Sequence, residues 1–415
     1  MNIKHRGSLG FLLAATLVPA MSIAGGWKIP ENSINSTALS AAYVANAHGA
    51  DAAYFNPAAM VFDEDGAAME VDLTYINLSA IHYTGTGFPD DSSDVERFLI
   101  PSFHYISPKM GNARFGLSVV TPAGVAKRWD GTAGKANSQQ FSLNTVEINP
   151  TAAYMFNDKF SAAVGARMVY SAGVIKSKAL GGAVARDLEG DSIDFGYNLA
   201  LHYKPTDELD LALTYRSKIW MTVEGDAHLV HPAGDYMGDT YLGAPIPAAL
   251  SLAGAYTFDD KTTVELVYER TYWSAYENLD IDYYDPISPV TAAAFGAPID
   301  KSWNDTNTFR IGVTHKLNNI WTLMAGYAYD ETPAIKRTVA FELPDTDAHI
   351  FSVGARYQYS DNMNIGFGLL YDKKDKLKLD PSDGNTGGLF GAEYNNAEFE
   401  DASAVLLTVG MQYKF

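Results

Sequence analysis

Not one cysteine occurs among the 415 residues. That excludes a disulfide framework, thiol catalysis and a lipid anchor on cysteine. An exported chain of this length without disulfides must be held by other means. Long apolar runs are equally scarce, and the first 24 residues hold the one that matters. They read as a secretory signal: Lys4, His5 and Arg6 open it, Gly7 to Val18 is apolar, and Ser22-Ile23-Ala24 puts small residues three and one positions before a cut. The run is too short and wrongly flanked for a membrane span, and no stretch of about 20 apolar residues follows it. A helical inner-membrane protein is thereby excluded. Positive charge is also short. Without the signal 391 residues remain, in which 28 basic residues (Lys4 and Arg6 being gone) face 49 acidic ones, a formal charge of −21. Such acidity argues against nucleic acid as a partner. An outer-membrane barrel stays open, because its strand signal is weak per segment.

What is present is alternation. Past residue 66 the chain repeats with period two, which points to strands with two unlike faces. In Ser192 to Lys204, Ile193, Phe195, Tyr197, Leu199, Leu201 and Tyr203 point one way and Asp194, Gly196, Asn198, Ala200, His202 and Lys204 the other. A helix would scatter those apolar residues around its circumference. Similar rows are Leu209-Leu211-Leu213-Tyr215, Leu323-Ala325-Tyr327-Tyr329, Ile365-Phe367-Leu369-Tyr371 and Val405 to Phe415. The pattern predicts strands near 67–83, 98–107, 112–122, 141–157, 159–176, 191–204, 208–226, 248–258, 262–283, 306–316, 320–330, 346–359, 362–375 and 403–415, fourteen in all.

Tight turns at Asn157–Lys159, Thr206–Glu208, Asp259–Lys261, Asn318–Asn319 and Ser360–Asn362 join alternate pairs, while 84–97, 227–247, 284–305 and 376–402 read as long loops. Short turns at one end and long loops at the other describe an outer-membrane barrel. A secreted β-sandwich would also alternate. Here, though, the polar rows mix Gly, Asp, Arg and His, which suits a wet lumen, and tyrosines near the ends of the apolar rows suit interfacial girdles. The terminal aromatic, Phe415, fits a closing strand read by the barrel-assembly machinery.

Several segments, in this order and spacing, carry a more specific likeness. They are Gly25-Gly26-Trp27, the small-residue stretch STALSAAYVANAHGADAAYFNPAAM, TPAGVAKRW, INPTAAY, LTYRSKI, YERTYWSAYENLDI, WNDTNTFRIG, YDETPA and LPDTD. With them the whole chain after the signal resembles the FadL/OmpP1/TodX family of outer-membrane transporters for long-chain fatty acids and other hydrophobic compounds. The resemblance implies an all-β membrane protein: a 14-stranded antiparallel transmembrane β-barrel with a small N-terminal helical plug, or hatch, in the lumen. Residues 1–24 would then be the signal peptide, 25–65 the plug and 66–415 the barrel, in the outer membrane of a Gram-negative bacterium among lipid and lipopolysaccharide. The family suggests a monomer.

The expected function is passive uptake of hydrophobic molecules, long-chain fatty acids foremost, with no enzyme activity and no cofactor. Aromatic or aliphatic hydrocarbons by the same route are the alternative, and a general porin or receptor barrel is a second. In the family, ligand captured outside passes to a pocket near the plug's N-terminus, the plug shifts, and ligand leaves sideways where a wall strand is interrupted. Carried over, Asn56-Pro57-Ala58 is the plug turn; alone it reads as a type I turn with Pro at its second position. Trp27 is the pocket residue, or packs the plug onto the wall. Pro122 and Gly124 mark the strand interruption and lateral opening: proline removes a ladder donor and glycine tolerates a kink. Lys176, Lys178 and Arg337 lie on or just past strands where the family often has charged partners for a carboxylate; each also reads as a solvated or lumen charge.

Other chemistry is poorly supplied. The nine histidines are scattered, without metal-ligand spacing, and no metal site is expected. There is no nucleophile elbow or phosphate loop. The acidic stretches Pro89–Asp94 and Asp282–Pro286 are candidate divalent-cation sites shared with lipopolysaccharide, or simply solvated loops.

Overall fold

The computed structural model describes residues 25–86, 88–387 and 396–415; the expected signal peptide lies outside them. Fourteen antiparallel strands close into a barrel. They are β1 (Ala68–Leu78), β2 (Glu96–Ile106), β3 (Ala113–Val120 and Gly124–Arg128), β4 (Gln140–Asn157), β5 (Phe160–Ala179), β6 (Val184–Tyr203) and β7 (Leu209–Arg216 and Ile219–Val230). There follow β8 (Tyr236–Ile246 and Ala249–Phe258), β9 (Thr262–Thr271 and Asn278–Tyr283), β10 (Ile299–Asp300 and Thr306–Lys316), β11 (Trp321–Asp330), β12 (Ala348–Ser360), β13 (Met363–Lys374) and β14 (Ser403–Lys414). Each strand pairs with the next, and β1 pairs with β14 from Ala68↔Lys414 to Leu78↔Ala404, so the sheet closes on itself. Closure pairs the ladder amides within the wall, which is what lipid demands, except at one fault between β2 and β3. Among the described residues no helix is long and apolar enough to cross a membrane; the strands cross.

The faces are inverted relative to a soluble protein. Val71, Leu73 and Tyr75 of β1 are exposed outward, while Glu70, Asp72 and Thr74 between them are buried inward. The row from Ile193 to Tyr203 faces out along its whole length. Exposed aromatics gather beside the tight turns, among them Tyr154, Phe156, Tyr203, Phe258, Trp321 and Tyr359, as an interfacial girdle does.

The expected loop at 227–247 is a correction. Most of it is strand: β7 runs on to Val230 and β8 begins at Tyr236. The reason is a change of face. In Leu209–Arg216 the odd positions Leu211 and Leu213 point out; after the break at Ser217-Lys218 the odd positions Ile219, Met221 and Val223 point in, with Thr222, Glu224 and Asp226 outside. Below the break the outside is lipid and above it water, so the apolar row changes side.

Residues 25–62 are nearly all buried and bond to inward-facing wall residues such as Thr408, Ser352 and Glu265. Their helices are short: α1 (Ile34–Ala38), α2 (Ala52–Phe55) and a 3-10 helix at Pro57–Phe62. The small-residue stretch looked more helical than it is. Ser40 and Ala41 take φ of 50° and 58°, and the amides of Val44, Ala45 and Asn46 point at the Glu265 carboxylate on β9, at 2.7, 2.6 and 3.2 Å, rather than at helical carbonyls. A wall carboxylate has replaced a turn of helix.

Candidate functional site

The site begins with a fault in the wall. β2 and β3 pair only from Phe103↔Val119 to Ile106↔Gly116. Residues 121–123 belong to no strand, and the rest of β3 pairs with β4 alone. Pro122 supplies no ladder donor, as its position in the sequence suggested. The N-terminal segment covers the fault from within. Ile29 N donates to Pro122 O (3.0 Å), Gly124 N donates to Trp27 O (2.8 Å), and Lys28 bridges Ala123. Thr121 N donates to Asn32 Oδ1 (3.1 Å). Ile29 packs in one buried cluster with Phe98 and Ile100 of β2 and Ala126 of β3, the two edges of the fault.

Trp27 is enclosed by rings. Its centroid lies 5.0 Å from Trp273, 4.8 Å from Tyr276 and 5.0 Å from Trp303, and its indole N–H donates to Pro245 O (3.1 Å). Trp273 and Tyr276 come from the break in β9 and Trp303 from the break in β10. Gly26 is required beside them: its φ is +72°, and a Cβ there would stand 2.4 Å from the Trp273 ring.

Two cavities flank this aromatic box. The outer one, about 440 Å³, is lined by Phe141, Ile175, Leu279 and Phe295 together with Arg186 and Glu342, among others. The inner one, about 90 Å³, is lined by Ile29, Tyr54, Pro122, Arg216, Ile246 and Val267 among others. One apolar cluster runs from Phe295 and Leu279 through Trp27 and Trp303 to Ile246, so it touches both. The polar rows suggest a wet lumen; the outer cavity instead sets apolar side chains beside Arg186, Asp300 and Glu342.

The inner cavity carries cations that were missed in the sequence. Lys28, Arg167, Arg216 and Arg310 all line it. Glu269 takes Lys28 at 2.6 Å and Arg310 at 3.4 Å. Glu147 takes Arg167 at 2.9 Å and also Arg216. Four cations thus face two carboxylates, and Arg216 Nη1 has no hydrogen-bond partner. The signal for Arg216 was its place at the end of the polar row Asp210-Ala212-Thr214-Arg216, which faces the lumen.

The expected carboxylate partners lie elsewhere. The alternation of β5 buries Ile175 and Ser177, so Lys176 and Lys178 point outward. Lys176 pairs with Asp187 (2.9 Å) on the neighbouring strand. Arg337 sits in the loop after β11 and pairs with Asp300 (2.6 Å). None of the three lines either cavity.

The Asn56-Pro57-Ala58 turn is an anchor. Asn56 Oδ1 accepts from Ala58 N (3.2 Å), and its Nδ2 donates to Val44 O (2.9 Å) and lies 3.2 Å from His202 Nδ1 on β6. Ser161 of β5 donates to Ala58 O (2.6 Å). Arg114 of β3 donates to Met60 O (2.8 Å), Glu64 O (3.0 Å) and Gly66 O (2.6 Å). In the outer acidic stretch, Asp91 accepts from Ser92 N and Gly134 N. Among the described residues no group of three acidic or histidine side chains is placed to hold a metal ion.

A closed, even-stranded antiparallel barrel with an apolar outer face defines an outer-membrane β-barrel. The family model described as outer membrane protein transport protein (OMPP1/FadL/TodX) matches residues 15–415, and the chain belongs to that family. It is 22% identical to the long-chain fatty acid transport protein of Escherichia coli strain K12, over 93% of this chain and 97% of that one. Its fold is similar to a Pseudomonas aeruginosa FadL homologue (19% identity, TM-score 0.80, 94% and 100% of the two chains). It is also similar to the Ralstonia pickettii toluene transporter TbuX (17% identity, TM-score 0.70, 95% and 99%).

Proposed function

We propose that this barrel admits hydrophobic molecules through the outer membrane, long-chain fatty acids foremost, and that residues 25–65 are its plug. The apolar lining that joins the outer cavity to the inner one, ending at an unpartnered Arg216 nitrogen beside the fault in β3, carries this reading. Burying each methylene contributes roughly 0.8 kcal/mol, so an acyl chain binds such a lining without chemistry. Its carboxylate needs a charged partner there, because an unpaired buried charge is costly. The spare donor of Arg216 supplies one, and charge-assisted bonds to guanidinium are among the stronger ones. Movement of Trp27–Asn32 away from residues 121–124 then opens the wall between β2 and β3, and ligand leaves sideways.

The second reading, hydrocarbon uptake, is favoured by the aromatic box and by the toluene transporters among the similar folds. The test is equilibrium binding of oleate, toluene and a long alkane to the detergent-folded barrel, for wild type and Trp27→Ala. Oleate binding that weakens in Trp27→Ala supports fatty-acid uptake. Preference for the uncharged ligands moves the reading to hydrocarbons. Binding of none of the three leaves a porin or receptor barrel. Conductance after deletion of 25–60 tests the plug, since a pore must then open.

A further inference from the structure

The Asn56 anchor hangs on a histidine that has room for only one more proton. His202 is buried near the turn end of β6 and is bonded on both sides of its ring. Its Nε2 lies 2.8 Å from Asp210 Oδ1 on β7. A carboxylate only accepts, so this nitrogen carries the hydrogen and the neutral ring keeps a lone pair on Nδ1. Nδ1 lies 3.2 Å from Asn56 Nδ2. The Asn56 amide is held the right way round by the backbone: its oxygen accepts from Ala58 N at 3.2 Å, and its nitrogen donates to Val44 O at 2.9 Å. Asn56 therefore presents a donor to the ring, and the ring has to accept.

The surroundings decide where a charge on the ring is felt. From β7 the ring meets Asp210, and Lys204, just past β6, lies 3.1 Å from the same carboxylate. From β5 it meets the uncharged Ser161, its direct cross-strand partner. From the N-terminal segment it meets Asn56 and the ring of Phe62, 5.1 Å away. Glu265 of β9 is near enough to Asp210 to feel its charge, and holds the amides of Val44, Ala45 and Asn46. A protonated ring donates from both nitrogens. Asp210 accepts one of these N–H groups and pairs with the charge. On the other side N–H now meets N–H. If Asn56 turns over to offer its oxygen, that oxygen faces Val44 O and its nitrogen faces Ala58 N, so one bond is gained and two are lost.

We propose that His202 is an acid-released catch on the Asn56-Pro57-Ala58 turn: the neutral ring holds the turn to β6, and the protonated ring lets it go. Histidine is the side chain that changes charge between pH 5 and 8. Proton uptake costs the seated turn a bond that a displaced turn does not have, so seating weakens as pH falls through that range. The release is partial. Ser161 Oγ still donates to Ala58 O at 2.6 Å, and neither group titrates in this range. The turn loosens on that bond, and the Val44 carbonyl that Asn56 holds loosens with it. Acid thus acts on the middle of the segment, on the side of the barrel where the strands are joined by tight turns, and it needs no ligand.

The test uses no ligand either, so its failure is distinct from a failure of the uptake reading. Amide exchange at residues 56–62 of the detergent-folded barrel is compared at pH 8 and pH 5, corrected for its intrinsic pH dependence. Opening about tenfold more frequent at pH 5 is expected in the wild type, the effect of one buried hydrogen bond lost. His202→Gln keeps a donor and an acceptor but gains no charge; with gel mobility showing a folded barrel, it should open equally often at both. Glu265→Gln silences the neighbouring carboxyl and should keep the wild-type dependence. Equal opening of the wild type at the two pH values overturns the proposal, and that comparison needs no variant. So does a dependence that survives in folded His202→Gln or disappears in Glu265→Gln. Where His202→Gln does not fold, Asn56→Ala takes its place: without the amide the turn should open at one raised frequency at both pH values, and a remaining tenfold difference overturns the proposal.

Discussion

The guanidinium carbon of Arg216 lies 4.2 Å from the centre of the Tyr54 ring. That contact joins strand β7 of the wall to helix α2 of the inner segment, two residues before Asn56. A cation over an aromatic face is attracted by the ring's quadrupole, by about 0.5–2 kcal/mol. A ligand carboxylate that recruits Arg216 thus acts on the wall and the segment at once.

Arg216→Gln should separate the two ligand classes. Hydrogen bonds to charged groups contribute about 1.5–3 kcal/mol, and each 1.4 kcal/mol is about tenfold in affinity. Oleate affinity is expected to fall about 10- to 100-fold, and toluene affinity to change about threefold or less. Titration calorimetry on the detergent-folded barrel reads both. Equal losses for the two ligands would mean that the substitution merely collapses the Glu147–Arg167–Arg216 cluster.

Asn56→Ala removes an anchor without touching the ladder. It strands the buried Val44 carbonyl and the Ala58 amide. A lost cap costs about 1 kcal/mol and an unsatisfied buried group about 1–3 kcal/mol. Amide exchange at residues 44–62 should quicken by tenfold or more, while the heat needed to unfold the barrel on a gel stays within a few degrees. A matching fall in barrel stability would show that segment and wall unfold as one unit.

Glu31 predicts a pH dependence. Burial is the main cause that pushes its carboxyl from 4.5 up to about 8; Arg310 pulls it down, and Asp372 and Asp330 push it up. Between those values the seated segment keeps a proton that the displaced segment releases. Stability of seating therefore falls as pH rises through that window, by up to about 1.4 kcal/mol per unit. Amide exchange at 27–34, corrected for its intrinsic pH dependence, should report more frequent opening at pH 8 than at pH 5. Glu31→Gln should flatten the slope, and an unchanged slope would assign it to another group.

Much of the barrel was legible because lipid imposes one simple rule on each strand. The row from Ile193 to Tyr203 keeps its face from end to end, and its period gives it away. The rule fails where the wall leaves the membrane. Ile219, Met221 and Val223 continue the alternation of β7 on the opposite face, and Pro247-Ala248 interrupts β8 beside the same level. Pro122 was legible as a fault because proline cannot donate. Its cover was not, since Trp27, Lys28 and Ile29 meet residues 122–124 through backbone atoms that carry no residue signature. The inner cations were hidden for a related reason: Lys28, Arg167, Arg216 and Arg310 come from four separate segments, and only closure brings them together. Lys176 and Lys178 misled because their face depends on a strand parity that buried Ser177 reveals.

The lateral opening can be tested with the residue type the chain lacks. Lys28 and Ala123 face each other in an isolated antiparallel bridge. Cα atoms so paired stand about 4.5–5.5 Å apart, within the range of about 4.4–6.8 Å that a disulfide spans. The chain has no cysteine of its own, so Lys28→Cys with Ala123→Cys gives one defined pair. Oxidised, that pair fixes the cover to the fault. Oleate uptake by cells carrying the variant should then stop and return on reduction. The reduced state is the control for the lost Lys28–Glu269 ion pair, which Arg310 still partly satisfies at 3.4 Å. Full uptake by the oxidised variant would mean that ligand leaves without displacing Trp27–Ile29, and the exit would have to be sought through the turn end of the barrel instead.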